Sequence, residues 1–207
     1  MSVARRERAA LVESMRAAGP DAPTLCEGWT TRDLAAHLVV RERRLDAAPG
    51  ILVPQLAGYT ERVQQKVAES TEWGDLVDQV AAGPPLYSPL KLQDPLVNVA
   101  EMYIHNEDVR RAQPNWEPRD LDDATVSALS RGIGAMARMT MGKSPARVAL
   151  TTPAGKTLAT VGAGPEVTVT GEPGELLLFA AGREPARVMF SGDDDAIAAL
   201  RAARRGL

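Results

Sequence analysis

The sequence predicts an α+β protein in which a helical bundle precedes a smaller domain of strands and helices. Two observations carry this prediction. Apolar residues recur at helical spacing through the first two-thirds of the 207-residue chain. Later segments alternate apolar and polar residues with the period of a strand. We therefore expect a helical domain over residues 1–142 and a small α/β domain over residues 143–207.

Capping and breaking residues mark the limits of the predicted bundle helices. Thr30 or Thr31 can cap a helix that has Asp33 in its first turn. Asp94 followed by Pro95 combines a capping side chain with a proline at the first helical position, which is a strong signal for a helix start. Together with the hydrophobic spacing, these signals predict helices over residues 3–18, 31–48, 55–70, 74–82, 95–112 and 121–141.

The remaining third of the chain has the pattern of a small α/β domain. Its strand-like segments are separated by Gly and Pro, which are typical turn residues. The final helix carries acidic residues at its start and arginines at its end, an arrangement that matches the helix dipole. We expect strands over residues 147–152, 156–161, 166–170 and 187–191, and helices over residues 173–181 and 193–204.

Composition and charge exclude several classes of protein. Hydrophobic residues make up 44% of the chain and charged residues 25%, which is typical of a folded globular protein. A net charge of −3 supplies no basic field for nucleic acid, and the apolar runs are too short to span a bilayer. The N-terminus has no apolar stretch of signal-peptide type, and the single cysteine, Cys26, excludes an intramolecular disulfide. We expect a cytoplasmic monomer or homodimer that binds neither nucleic acid nor membrane.

The chain contains only two histidines, His37 and His105, and helical spacing aims both toward the core. Glu101 precedes His105 by four positions, so the two side chains lie on one face of a helix. A buried carboxylate is costly unless it has a positive partner, and a metal ion is one such partner. Two imidazoles and one carboxylate form a three-ligand set for a divalent metal, with a position left for water or substrate.

The same residues also allow an explanation without metal. Glu101 and His105 would then form a local contact within one helix, and His37 would pack as a hydrogen-bonded core residue. Such i,i+4 pairs are frequent, so this spacing alone does not decide the question. The metal site is supported by the absence of other histidines and by the predicted inner faces, where bundles build metal sites. From the residues alone, both interpretations stay open.

Two motifs give the chain a resemblance to a known family. The motif W-x-x-x-D-L-x-x-H runs from Trp29 to His37, and E-x-x-x-H-x-x-D runs from Glu101 to Asp108. With the tail segment 171–183, they resemble the mycothiol-dependent maleylpyruvate isomerases, which belong to the wider DinB-like metal-binding proteins of actinobacteria. The resemblance covers nearly the whole chain. It implies a DinB-like four-helix bundle followed by a small sterol-carrier-like α/β domain.

The resemblance also implies a metal, its ligands and a cosubstrate. The metal ligands of the family are a histidine, a glutamate and a histidine, which carry over to His37, Glu101 and His105 here. Zinc (Zn2+) is the implied metal, and a low-molecular-weight thiol such as mycothiol is the implied cosubstrate. The implied activity is a zinc- and thiol-dependent isomerase or S-transferase that acts on a small electrophilic substrate.

Four further residues are candidates for other roles, each with a simpler alternative. Asp108, one turn past the second histidine, can accept a ligand N–H or be a solvated helix residue. Arg41 can hold a substrate carboxylate, although the charged run that it begins is also typical of a solvated face. Arg183 can reach the metal site, if the second domain packs near its mouth, or cap a helix. Cys26 can be a thiolate ligand or redox group, although a small packed cysteine is the simpler interpretation.

Two alternative functions stay open at this point. A non-catalytic protein would bind a metal or small ligand in the bundle without turnover. A metal-dependent hydrolase would use water in place of the thiol. An open metal position beside a cationic pocket favours an enzyme, whereas a fourth protein ligand that closes the metal shell favours a structural role.

Overall fold

Eight α-helices and four β-strands lie in the part of the chain that the computed structural model describes, which is residues 1–51, 53–88 and 95–203. The predicted α+β class is confirmed. The chain divides into a helical unit, Met1–Pro118, and a second unit, Arg119–Leu207, which carries the strands. No helix among the described residues is long and apolar enough to cross a membrane.

Five α-helices form the first unit, and most of their limits lie close to the predicted ones. They are α1 (Val3–Ala18), α2 (Thr31–Arg43), α3 (Ala57–Ser70), α4 (Trp73–Ala82) and α5 (Pro95–Arg111). Helix α5 packs along α1, and α2 packs against the consecutive short helices α3 and α4. These contacts form the predicted helical bundle. The expected capping residue of α5, Asp94, lies outside the described residues.

Helix α2 starts with a reciprocal capping box, and Thr30 rather than Thr31 is its cap. The backbone N–H of Asp33 donates to Thr30 Oγ1 over 3.3 Å, and the backbone N–H of Thr30 donates to Asp33 Oδ2 over 2.9 Å. A cap of this kind contributes about 1 kcal/mol to stability. It also fixes the first turn of α2, and therefore the direction in which His37 projects two turns later.

Helix α2 ends at Arg43, so the prediction that it continues to residue 48 is wrong. Arg44 leaves the helical conformation, with φ −112° and ψ 83°. Its guanidinium donates two hydrogen bonds, of 2.9 and 2.7 Å, to the Asp46 carboxylate two residues later. This exposed ion pair lies in the turn that follows the helix, where the backbone N–H groups of Ala47 and Ala48 donate to the carbonyl oxygen of Arg44 over 3.0 and 2.8 Å. A short 3-10 helix, Ala48–Ile51, follows.

Helix α5 is buried on almost every side. Its apolar core residues include Met102, Tyr103, Ile104 and Val109. Two carboxylates, those of Glu107 and Asp108, are fully buried among them. Glu107 accepts hydrogen bonds from Arg111 Nε over 2.6 Å and from Arg110 Nη1 over 2.8 Å. Buried charges need partners of this kind, so the polar residues of α5 are held in fixed positions.

The second unit is a four-stranded sheet with three helices. Its elements are α6 (Asp123–Met141), β1 (Arg147–Thr151), β2 (Thr157–Val161), β3 (Glu166–Thr170), α7 (Pro173–Ala180), β4 (Met189–Gly192) and α8 (Asp194–Ala202). The strand order is β2-β1-β3-β4, in which only the β1–β3 pair is parallel. Helix α6 packs against α7 and β2 and so lies with this unit. The predicted domain limits, 1–142 and 143–207, stay a prediction.

Candidate metal centre

The two histidines of the chain come together in the first unit. His37 lies on α2 and His105 on α5, and their ring centroids are 5.7 Å apart. Glu101 lies one turn before His105, and its Oε1 is 3.4 Å from His105 Nε2. One ligand atom from each of the three residues lies within 4.8 Å of the other two. The structure thus brings together all three residues that the sequence analysis named as ligands.

This cluster has the chemistry of a divalent-metal site. Two imidazole nitrogens and one carboxylate oxygen are ligands that zinc takes in catalytic sites, and three such ligands leave a fourth tetrahedral position for water or substrate. The cluster lies between two helices of a bundle, and bundles commonly build metal sites from inward side chains on facing helices.

A buried carboxylate orients the His105 ring. His105 Nδ1 is 3.0 Å from Oδ2 of Asp108, whose side chain is fully buried. In the neutral ring, an Nδ1–H donated to Asp108 leaves the Nε2 lone pair directed toward Glu101. Metal-binding histidines are usually oriented by such a hydrogen bond. The alternative interpretation of Asp108 as a solvated helix residue is wrong, because no part of its side chain is exposed.

Two residues that the sequence analysis did not single out for the metal site hold the His37 ring. The side chain of Gln64, on α3, forms a hydrogen bond with His37. The Trp29 ring lies against His37 with ring centroids 5.1 Å apart. Gln64 carries no signal in the sequence because its role depends on how α3 packs against α2, whereas Trp29 stands in the W-x-x-x-D-L-x-x-H motif.

Arg41 belongs to the cluster and is not part of a solvated face. Its side chain is only 10% exposed, and its Nε is 3.2 Å from Glu101 Oε1. The next residue, Glu42, is 1% exposed and pairs with Arg8. The expectation of a solvated face is therefore wrong for the first half of this charged run. A guanidinium so close to Glu101 favours the ionised carboxylate.

Sequence comparison places the chain in a family. The family described as the mycothiol maleylpyruvate isomerase N-terminal domain matches residues 2–170 of the chain. The chain belongs to this family. Two crystal structures of the mycothiol-dependent maleylpyruvate isomerase, one of a histidine-to-alanine mutant, have similar folds, with TM-scores of 0.54 and 0.53. Each is 16% identical to the chain, and the similarity covers 91% of this chain and 90% of that one. No curated protein matches.

In this member of the mycothiol maleylpyruvate isomerase family, two of the three cluster residues hold the charge state that a metal ligand needs. Burial, together with the nearby charge of His105, lowers the pKa of His37 to about 4, so the ring is neutral at neutral pH. Burial alone would raise the pKa of Glu101, but the hydrogen bond and charge of His105, with the charge of Arg41, hold it at about 2. An uncharged imidazole and an ionised carboxylate are both ready to bind a cation.

The pKa of His105 shifts in the opposite direction to that of His37. Burial alone would lower its pKa, but hydrogen bonds with Asp108, Cys26 and Glu101 raise the pKa of His105 well above its usual value. The ring therefore has protons on both nitrogens at neutral pH when no metal is bound, and its positive charge balances the charge of the surrounding carboxylates. A metal ion that binds His105 has to replace one of these protons.

The remaining candidates take two different positions. Cys26 lies beside the cluster, with Sγ donating to Asp108 Oδ2 over 3.3 Å. Arg183 lies in the second unit, where its Nη1 donates to the carbonyl oxygen of Ala181 over 2.8 Å. This hydrogen bond closes the end of α7 and agrees with the helix-capping alternative. Contact between Arg183 and a substrate of the metal cluster stays a prediction.

Proposed function

We propose that this protein is a cytoplasmic, zinc-dependent enzyme that uses mycothiol to isomerise a small electrophilic molecule or to transfer the thiol to it. The convergence of His37, Glu101 and His105 in a member of the mycothiol maleylpyruvate isomerase family carries the proposal. The similar fold of a mycothiol-dependent maleylpyruvate isomerase supports isomerisation as the first reaction to test.

The three proposed ligands fit zinc in both donor type and charge. His37 is neutral and Glu101 is ionised in the metal-free protein, so neither has to change its protonation state. His105 would release one proton on binding and keep its Nδ1–H on Asp108. Zinc would lower the pKa of a bound thiol, so that thiolate is available near neutral pH.

Three residues of the chain would hold these ligands in place. Asp108 would orient His105, whose Nε2 then faces the cluster, and Gln64 would support His37 from α3. Arg41 pairs with Glu101 and limits the rotation of this carboxylate. Hydrogen bonds of this kind orient ligands and increase metal affinity, and their loss typically costs about 10–100-fold.

The proposed isomerisation needs only a thiolate nucleophile and a cation. The sulfur adds to an electron-poor cis C=C bond, which forms an S–C bond and moves the π electrons onto the conjugated carbonyl oxygen. After rotation about the new C–C single bond, these electrons return, the thiolate leaves and the trans isomer is formed. The Arg41 guanidinium, beside Glu101, would stabilise the oxyanion or hold a substrate carboxylate.

The proposal is tested with zinc-loaded protein, mycothiol and maleylpyruvate, by following the cis and trans isomers chromatographically. We expect turnover only when both zinc and mycothiol are present. His105→Ala should abolish turnover, whereas Asp78→Ala, which removes an exposed carboxylate on α4, should not.

Two outcomes would contradict the proposal and favour an alternative. Mycothiol binding without turnover of any tested electrophile would indicate a ligand-binding protein. Zinc-dependent turnover that proceeds equally without thiol would indicate a hydrolase in which water is the nucleophile.

A further inference from the structure

His105 stands between two different groups of possible metal ligands. Its Nε2 faces Glu101 and belongs to the cluster that also contains His37. Its Nδ1 faces Asp108 Oδ2 at 3.0 Å. Ligand atoms of Cys26, Asp108 and His105 also all lie within 4.8 Å of one another. The second group contributes a sulfur, an oxygen and a nitrogen, and none of its members except His105 belongs to the first.

The position of Cys26 in this second group is fixed by backbone hydrogen bonds. The N–H of Leu25 donates to the carbonyl oxygen of Asp108 over 3.0 Å, which ties the loop before α2 to α5. The N–H of Cys26 donates to Thr24 Oγ1 over 3.2 Å, and its carbonyl oxygen accepts from the N–H of Trp29 over 2.9 Å. The thiol is therefore held beside Asp108 by its own loop.

Two of the three separations within this second group are close to those around one metal ion, and the third is within 4.8 Å. A tetrahedral zinc-sized ion, with bonds of about 2.3 Å to sulfur and about 2.0–2.2 Å to oxygen and nitrogen, places sulfur and oxygen about 3.5 Å apart and nitrogen and oxygen about 3.4 Å apart. The observed separations are 3.3 Å between Cys26 Sγ and Asp108 Oδ2, and 3.0 Å between Asp108 Oδ2 and His105 Nδ1. Shifts of a few tenths of an ångström would admit the ion.

The two groups differ in the metals that they should prefer. Thiolate is a soft ligand that selects thiophilic cations, whereas an imidazole and carboxylate set accepts harder divalent ions as well. A neutral imidazole has one lone pair, so His105 can bind an ion through Nδ1 or through Nε2 but not through both at once.

We propose that Cys26, Asp108 and His105 form a second metal site, selective for thiophilic cations such as Cd²⁺, whose occupation excludes the ion held by His37, Glu101 and His105. Binding replaces the thiol proton of Cys26 and the proton on His105 Nδ1, and both protons leave to solvent. The existence of this site is independent of the proposed function, whereas the mutual exclusion rests on it.

The test is a titration of metal-free protein with Cd²⁺, monitored by the ultraviolet charge-transfer absorption of a cadmium–thiolate bond. Because Cys26 is the only cysteine of the chain, this absorption reports on one residue. We expect it to saturate at one equivalent in the wild type and in His37→Ala, and to be absent in Cys26→Ser. Absence of the absorption in the folded wild type would overturn the proposal.

A second measurement needs no variant. Alkylation of Cys26 in the wild type by iodoacetamide should slow at least tenfold when one equivalent of Cd²⁺ is present, because the thiolate is then a metal ligand. Equal alkylation rates with and without Cd²⁺ would also overturn the proposal.

Mutual exclusion is tested on zinc-loaded protein. Each Cd²⁺ that binds Cys26 should release one zinc ion, measured with a zinc indicator. Full development of the thiolate absorption with zinc retained would contradict the exclusion. A wild type that binds Cd²⁺ at Cys26 but never binds zinc would contradict the proposed function and leave the second site standing.

Discussion

Removal of the His37 imidazole should change how the stability of the metal-free protein depends on pH. Burial lowers the pKa of this ring from about 6.5 to about 4. Between these values the unfolded chain binds a proton at His37 and the folded protein does not, so acidification favours unfolding. A fall of 2.5 in pKa corresponds to about 3 kcal/mol of stability that is lost between pH 6.5 and pH 4.

Protonation of His105 affects the stability of the metal-free protein above pH 6.5. Its pKa is raised in the folded protein, so below pH 6.5 both states carry the proton and its stabilising contribution is fully present. Above pH 6.5 the unfolded chain releases this proton while the folded protein keeps it, and stability falls as the pH rises through the folded pKa. Together, the two histidines should place a stability maximum near pH 6.5 in the metal-free protein.

The assay is urea unfolding of chelator-treated protein between pH 4.5 and pH 8. His37→Gln should remove the acid-side loss, so that its stability relative to the wild type rises by about 2.5 kcal/mol as the pH falls to 4.5. The matched variant His105→Gln should keep the part of the acid-side loss that comes from burial of His37, and remove the alkaline loss. A stability difference between wild type and His37→Gln that does not change with pH would refute the reasoning.

Three further changes have outcomes that follow from the described contacts. Asp108→Asn should lower zinc affinity by about 10–100-fold in a competition titration, because the amide is a weaker acceptor for the ligand N–H; unchanged affinity would mean that the hydrogen bond does not support a ligand. Arg183→Ala should lower the free energy of unfolding by about 1 kcal/mol, because it removes the hydrogen bond to the carbonyl oxygen of Ala181 at the end of α7; unchanged stability in urea unfolding would mean that this bond does not support the helix end. Arg111→Ala should lower the free energy of unfolding by about 3 kcal/mol, since it removes the ion pair that the fully buried Glu107 forms with Arg111 Nε; a loss below 1 kcal/mol in urea unfolding would contradict this.

Most of the fold could be predicted because its elements carry local signals. The box of Thr30 and Asp33 marks the start of α2, and alternation of apolar and polar residues marks strands β1 to β3. The end of α2 could not be predicted in this way. No proline or glycine stands at Arg44, and the turn that replaces the next helical turn is visible only in the folded chain.

The convergence of His37, Glu101 and His105 could be predicted for a different reason. With only two histidines in the chain, the spacing of Glu101 and His105 and the inward placement of His37 leave few combinations. The residues that support the cluster were harder to predict. Gln64 reaches it from another helix, and hydrophobic periodicity contains no information on which side chains meet between elements; Cys26 is a candidate only through its residue type.

Arg41 shows the limit of judging burial from charge. A run of four charged residues is typical of a solvated face, yet Arg41 and Glu42 are buried because each has an opposite charge within reach on a neighbouring helix. Paired charges can be buried where isolated ones cannot, and the pairing is visible only in the folded chain.

The central claim, that His37, Glu101 and His105 bind one zinc ion, is tested most directly by anomalous scattering at the zinc edge from crystals grown with zinc. We expect one strong peak at about 2.0–2.2 Å from a ring nitrogen of each histidine and from an oxygen of Glu101. No peak between these three side chains, or a peak bound only by other residues, would contradict the account.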